Sequence, residues 1–324
     1  MRVIRDFREL REPLQASVVT VGNFDGVHLA HQELMREVVR GAGSLGVTSA
    51  ALTFDPHPTR VLAPERAPRL LTPLEQKVRL IEGLGIELLV VLPFAPELAA
   101  LLPAEFVHEI IAGQLRARLV RVGPDFRFGR RQAGNVALLG ELARQEGFRL
   151  EVSPVLEFRG ERVSSSRIRE ELVAGRVHRA GRLLGRPFSV CGEIVEGLGI
   201  GARQTVPTLN LAPYKEQLPR QGVYVTRTRL GEQWHESVTN VGHKPTFGEH
   251  RLTVESFLLN VGGAISAREM EIEFLHRLRD EMKFPDAAAL KAQIQRDAHR
   301  SLQFFRFLHL FKTIAPQRAQ RTQR

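Results

Sequence analysis

Residues 18–32 read Val18-Val19-Thr20-Val21-Gly22-Asn23-Phe24-Asp25-Gly26-Val27-His28-Leu29-Ala30-His31-Gln32, and this stretch decides the fold of the first half of the chain. The β-branched run predicts a short strand, Gly22 and Gly26 bracket a turn, and the residues beyond open a helix that carries His28 and His31. Residues three apart share a helix face, so both imidazoles stand beside the first backbone N–H groups of that helix, which have no partner within it. Such a place binds phosphate. Glycine at Gly22 and Gly26 lets the backbone turn sharply and lets a ligand come close. The same residues also make ordinary turn and helix features, so alone they leave a nucleotide site and a plain strand-turn-helix connection both open.

Outward from this stretch, residues 1–183 alternate short apolar runs with amphipathic ones. Val18–Val21, Thr48–Phe54, Leu88–Leu92, Leu119–Val122 and Leu150–Val155 read as strands; Gln32–Gly41, Pro73–Gly83, Ala104–Leu115 and Val136–Glu146 read as helices. The alternation predicts an α/β domain of Rossmann-like type, a doubly wound parallel sheet with helices on both faces, whose ligands bind at the carboxyl ends of the strands. Three further strings begin at such ends. In Thr53-Phe54-Asp55-Pro56-His57-Pro58 the prolines fix an extended exit from the strand, which serves a ligand or a rigid connection equally well. In Gly123-Pro124-Asp125-Phe126-Arg127-Phe128-Gly129-Arg130-Arg131 two aromatics alternate with basic groups, a set that suits a planar ring and a phosphate, or the anchoring of a loop. In Val163-Ser164-Ser165-Ser166-Arg167-Ile168-Arg169 the serines cap a helix, and their hydroxyls and N–H groups can also hold phosphate, with Arg169 one turn further along.

The texture changes around Gly181–Pro187, and a second domain is expected over 184–312, followed by a basic tail over 313–324 that reads as frayed after Ala315. Phe188–Val195, Gly222–Thr228, Trp234–Asn240, Leu252–Leu259 and Met270–Phe274 read as short strands between Gly and Pro turns, the pattern of a small antiparallel β-barrel. A C-terminal helix over about Ala287–Phe311 follows, with Leu290, Ile294, Ala298, Leu302, Phe305 and Leu308 on one apolar face. Gly197-Leu198-Gly199-Ile200-Gly201 offers backbone N–H groups to phosphate or a plain flexible turn, and runs on through Ala202-Arg203-Gln204-Thr205-Val206 to Pro207-Thr208-Leu209-Asn210. Asn240-Val241-Gly242-His243-Lys244-Pro245-Thr246-Phe247-Gly248 reads as a turn. In Thr253-Val254-Glu255-Ser256-Phe257 strand alternation puts Thr253, Glu255 and Phe257 on one face. Arg279-Asp280-Glu281-Met282-Lys283-Phe284 is, on its residues alone, a solvated charge run.

Taken in order, these strings resemble the signatures of the bifunctional riboflavin kinase/FAD synthetases, bacterial enzymes that make FMN and then FAD. Residues 22–31 resemble G-x-F-D-G-x-H-x-G-H, with Ala30 where the pattern has glycine; 53–58 resemble T-F-x-P-H-P; 123–129 resemble G-x-[DN]-F-x-F-G; 163–169 resemble I-S-S-T-x-x-R, with Val163 and Ser166 as conservative replacements. The resemblance implies an ATP- and flavin-binding role for Gly22, Phe24, Asp25, Gly26, Asp125, Phe126, Phe128, Ser164, Ser165 and Ser166, and a catalytic role in adenylylation for His28, His31 and Arg169. Residues 197–210 resemble the riboflavin kinase signature, with Thr205 and Ala202 as departures; this implies that Gly197, Gly201 and Pro207 meet ATP and that Thr208 and Asn210 hold Mg²⁺. The strings at 240–248, 254–257 and 279–284 resemble N-x-G-x-[RK]-P-T-F-G, V-E-x-[FH] and R-x-E-x-K-F, which implies Asn240 and Arg279 beside the flavin site and Glu255 as the catalytic carboxylate.

The totals bound the same reading. With 324 residues, 43% hydrophobic and 25% charged, the chain suffices for two domains with separate cores. Its single cysteine, Cys191, rules out an internal disulfide and a cysteine-rich zinc site and suits the cytoplasm. No apolar run approaches the ~18 residues of a membrane span, and the first residues lead into no signal-peptide core. The net charge of +10 fits attraction of polyanionic nucleotides; dispersed arginines and few aromatics argue against nucleic acid. The expected activities are ATP-dependent phosphorylation of riboflavin and adenylylation of FMN, with riboflavin, FMN and ATP as small-molecule partners and a homo-oligomer left open. Ala30 leaves a kinase without adenylylation as one alternative, and a non-catalytic nucleotide-binding or RNA-binding regulator is the other.

Overall fold

The computed structural model describes residues 1–9, 14–195, 208–246, 249–259, 261 and 267–321. The chain divides into two compact units, Met1–Arg167 and Ile168–Arg324. The first is built on six strands, β1 (Arg2–Ile4), β2 (Ser17–Val21), β3 (Thr48–Asp55), β4 (Leu88–Pro93), β5 (Ala117–Val122) and β6 (Arg149–Val152), in the order β1-β4-β3-β2-β5-β6. Every pairing in this sheet is parallel. All five residues of β2 are buried, as a strand covered on both faces requires. On one face Val18, Ala51 and Leu89 pack with Met35 and Val38 of α1 (Leu29–Leu45) and Ile81 of α2 (Leu74–Glu82). On the other, Val19, Leu52 and Val90 pack with Phe106, Ile111 and Leu139, the last from α3 (Val136–Glu146). From β2 the chain builds outward through β3 and β4, then returns to place β5 on the other side, so the strand order switches beside β2. A crevice at the carboxyl end of β2 is the expected ligand position.

Several elements differ from the sequence pattern. β1 and the hairpin of β7 (Glu157–Phe158) and β8 (Glu161–Arg162) are too short to announce themselves. The helix expected over 104–115 is a one-turn helix, Pro103–Glu105, that runs into a π-helical segment, Phe106–Gln114. β6 stops at Val152 because Pro154 has no N–H for the ladder.

Beyond α4 (Ser165–Val173) and α5 (Val177–Leu184), the second unit is a closed antiparallel barrel in the order β10-β13-β12-β11-β14-β9. Its strands are β9 (Phe188–Val195), β10 (Thr208–Leu211), β11 (Gly222–Leu230), β12 (Gln233–Thr246), β13 (Glu249–Leu258) and β14 (Glu269–Arg279). Thr208–Leu211, read as the end of a loop, forms the strand that closes the barrel, because it finds partners on both sides in β9 and β13. Asn240–Thr246, read as a turn, continues β12, because each of its residues is paired with one of β13. The barrel interior is in part hydroxylic: Thr226, Thr228, Ser237, Thr239 and Ser256 are fully buried, and the Thr226 hydroxyl lies 2.8 Å from Ser237 and 2.7 Å from Thr239. The opposite face carries Val223, Val225 and Val238, which pack against Phe305 of α6 (Ala287–Arg321). This helix continues past Ala315, through Pro316, to Arg321.

α6 is fastened by a buried ion pair: Arg279 Nε and Nη2 donate to Asp297 at 2.9 and 2.7 Å, and Gln293 Nε2 donates to its other oxygen at 2.9 Å. Removing one member of a buried pair leaves the other uncompensated, so Asp297→Ala is expected to lower unfolding stability by about 3 kcal/mol. Denaturant titration followed by Trp234, the single tryptophan, checks this on the barrel unit; an unchanged midpoint contradicts it.

Candidate functional site

At the carboxyl end of β2 the chain enters a tight turn in which Phe24, Gly26 and Val27 all have positive φ, at 47°, 86° and 40°. For Phe and a β-branched Val such conformations cost on the order of 1–3 kcal/mol each, so the surroundings must hold them. They do. Asp25, 2% exposed, accepts the backbone N–H groups of Leu71 and Thr72 at 2.9 and 3.2 Å on one carboxylate oxygen. Thr72 Oγ1 in turn accepts from Gly26 N at 3.0 Å. Lys77 Nζ donates to the Asn23 carbonyl at 2.8 Å, Thr53 Oγ1 donates to the same oxygen at 3.3 Å, and Ser165 Oγ donates to the Asp25 carbonyl at 2.8 Å. Gly22 is required because a Cβ there would lie 2.8 Å from the Phe24 ring.

The turn delivers His28 as the N-cap of α1, its Nδ1 accepting from His31 N at 3.4 Å. The two imidazoles stack with centroids 3.6 Å apart, and Phe24 meets His31 edge-on at 5.3 Å. Burial first, then His28 and Lys77, holds the His31 pKa well below the ordinary value. His31 is therefore a neutral ring at physiological pH. Ala30 sits in regular helix, where a methyl group brings no backbone strain.

The other sheet-end strings behave in two ways. Phe128 is a core anchor, buried against Phe106, whereas Phe126 is half-buried and stacks on it at 5.4 Å. Asp125 is exposed and paired with Arg162. Ser164 Oγ accepts from Arg167 N at 3.2 Å and so caps α4, Ser165 ties to the turn as above, and Ser166 is exposed. Arg169 follows one turn along that helix.

On the barrel, the register brings a different set together. Glu255 of β13 is directly opposite Asn210 of β10 on one side and Asn240 of β12 on the other. Residues directly opposed across antiparallel strands share a face, so an amide, a carboxylate and an amide form one row, with Thr208 one step along opposite Phe257. Alternation along β13 is clear, with Thr253, Glu255 and Phe257 half-buried and Val254, Ser256 and Leu258 buried. Glu281 reaches over β12, its Oε1 accepting from Asn240 Nδ2 at 3.4 Å, and a Cβ on Gly242 would lie 1.8 Å from that oxygen. Arg279 is opposite Val223 and held by Asp297. Gly197, Gly201 and Pro207 lie outside the described residues.

Apart from Arg169, each constellation falls within the span of one known family. Residues 10–167 match the FAD synthetase family model and residues 184–305 the riboflavin kinase model. Among curated relatives, a bifunctional riboflavin kinase/FMN adenylyltransferase of Haemophilus influenzae is 32% identical over 307 residues, 94% of this chain and 99% of that protein. Its counterpart in Pseudomonas fluorescens is 34% identical over 298 residues, 92% of this chain and 96% of that one. The chain belongs to the bifunctional riboflavin kinase/FMN adenylyltransferase family. A solved structure described as a macrolide-efflux protein from Streptococcus pneumoniae superposes with a TM-score of 0.82 at 27% identity, covering 93% of this chain and 98% of that one. No helix among the described residues is long and apolar enough to cross a membrane.

Thr72 and Lys77 carry much of the first constellation and are absent from the sequence reading. One signal was there: Lys77 lies between Leu74 and Ile81 on the apolar face of α2, where a lysine is out of place.

Because His31 is held neutral in the folded chain and titrates near pH 6.5 when unfolded, the unfolded state takes up the proton first as pH falls. Stability present above about pH 6.5 is lost below it. Unfolding stability followed by circular dichroism is therefore expected to drop more between pH 7.5 and 5.5 in the parent than in His31→Gln; equal slopes contradict the assignment.

Proposed function

We propose that the two constellations divide the work of a bifunctional enzyme, the barrel row phosphorylating riboflavin and the turn at β2 adenylylating FMN. The chain is a riboflavin kinase and FMN adenylyltransferase that uses ATP. The observation that carries the division is the placement of Glu255 between Asn210 and Asn240 on one barrel face, while His28 and His31 stack at the start of α1.

In the kinase step the riboflavin 5′-hydroxyl oxygen forms a bond to the γ-phosphorus of ATP, and the bond from that phosphorus to the ADP oxygen breaks. A neutral hydroxyl must lose its proton, and we assign Glu255 as the base that takes it. Hydroxyl, amide and carboxylate oxygens from Thr208, Asn210 and Glu255 form the hard donor set that suits Mg²⁺. Thr208 and Asn210 would hold that ion, which when bound neutralises charge on the phosphates. Asn240 and Arg279 border the flavin side of the same row.

In the adenylyl step an FMN phosphate oxygen bonds to the α-phosphorus of ATP and pyrophosphate leaves. This nucleophile is already ionised, so the site needs positioning and charge stabilisation rather than a base. The α1 N–H groups, the His28 and His31 rings, the serines at 164–166 and Arg169 on their helix supply donors for this. Phe126 offers a ring face for a planar base. We assign adenylylation to residues 1–183 and phosphorylation to 184–312, place both in the cytoplasm, and read the charge of +10 as attraction for nucleotide substrates rather than nucleic acid.

Glu255→Ala is expected to abolish FMN formation while sparing conversion of supplied FMN to FAD, and His28→Ala to do the reverse. Chromatographic assay of each variant with each flavin checks this. Loss of both activities in either folded variant overturns the division.

A further inference from the structure

Lys77 is 4% exposed, on the apolar face of α2 between Leu74 and Ile81, and its ammonium is spent on the Asn23 carbonyl at 2.8 Å. An apolar side chain of the same length would pack in this position without desolvating a charge, so packing does not account for the residue. What its position does account for is the turn. Asn23 is the residue before Phe24, where the positive-φ run begins, and Lys77 and Thr53 both donate to its carbonyl. The same segment of chain reaches the turn twice more, through the Leu71 and Thr72 N–H groups on Asp25 and through Thr72 Oγ1 on Gly26 N.

We infer that Lys77 is a positioning residue for adenylyl transfer, its buried ammonium fixing the Asn23–Val27 turn and thereby the aim of His28 and the α1 N-terminus. This rests on the assignment of that transfer to the β2 turn. Lys77 also acts through charge. The groups that bear on its ammonium are Asp25 in the turn and Asp55 at the end of β3, both favouring the charged form against burial. Those that bear on the His31 ring are His28 and Lys77, both opposing its protonation. Loss of the ammonium thus loosens the turn and lets His31 take a proton more readily.

The test compares Lys77→Met, which removes donor and charge, with Lys77→Gln, which removes the charge and keeps a neutral N–H donor on a side chain one atom shorter. In the full-length Met variant FMN adenylylation is expected to fall on the order of 30-fold in kcat, the loss of one charged hydrogen bond. Riboflavin phosphorylation should stay within about twofold, which shows that the barrel unit is intact, and a parent-like far-ultraviolet circular dichroism spectrum shows that the first unit is folded. The Gln variant should regain much of the lost adenylylation, and in both variants the His31 imidazole should titrate at higher pH by NMR. Parent-like adenylylation in Lys77→Met overturns the inference. So does a Gln variant as impaired as Met with His31 titrating as in the parent, since that is what a purely structural lysine gives. Should the Met variant fail to fold, the Gln variant and its His31 titration decide alone. Active His28→Ala would remove the site assignment itself, whereas inactive His28→Ala beside active Lys77→Met removes only the role of Lys77.

Discussion

The buried carboxylate of Asp25 is the contact on which the turn after β2 depends. It joins a turn that the chain would not adopt unaided, with Phe24 and Val27 in left-handed conformations, to the Leu71–Thr72 segment 46 residues away. A charge at 2% exposure is tolerable only with hydrogen bonds to it, and two backbone N–H groups supply them. With the turn fixed, β2 ends at the switch point of the parallel sheet and α1 begins with two stacked imidazoles at its N-terminus. Strain in the turn is thus maintained by a network that reaches β3, α2 and α4.

The barrel depends on register in a comparable way. Glu255 has a chemical face only because β13 is paired in the register that sets it opposite Asn210 and Asn240. A slip of one residue would bring Ser256 to that face and drive the carboxylate among the buried hydroxyls of Thr226, Thr228 and Thr239. The hydroxyl contacts, including Thr228 to Ser256 at 2.7 Å, are specific to the observed pairing and so help to fix it. α6, fastened through Asp297 to Arg279, covers the apolar part of the same face.

Much of this was legible in the sequence because the relevant signals are local. β2 and β4 are apolar runs and β3 is largely so, β13 alternates strictly, and His28 and His31 fall at helical spacing. What was not legible is set by distant partners. β10 is four residues long and is a strand only because β9 and β13 flank it. Asn240–Thr246 contains glycine and proline, which read as a turn, yet Gly242 is there to admit Glu281 and Pro245 is accommodated near the strand end. Asp25 reads as a ligand residue from its string, while its carboxylate is engaged with backbone; Thr72 and Lys77, which complete the clamp, lie in no string at all. Ala30 raised the question of a silent first domain, and its place in regular helix means that the methyl group brings no backbone strain.

The central claim is that one chain carries both steps in sequence. The most direct measurement incubates the purified protein with riboflavin, ATP and Mg²⁺ and resolves riboflavin, FMN and FAD over time. The account predicts FMN first and then FAD, with pyrophosphate released alongside FAD. FMN that accumulates without any FAD, or neither product, would contradict it.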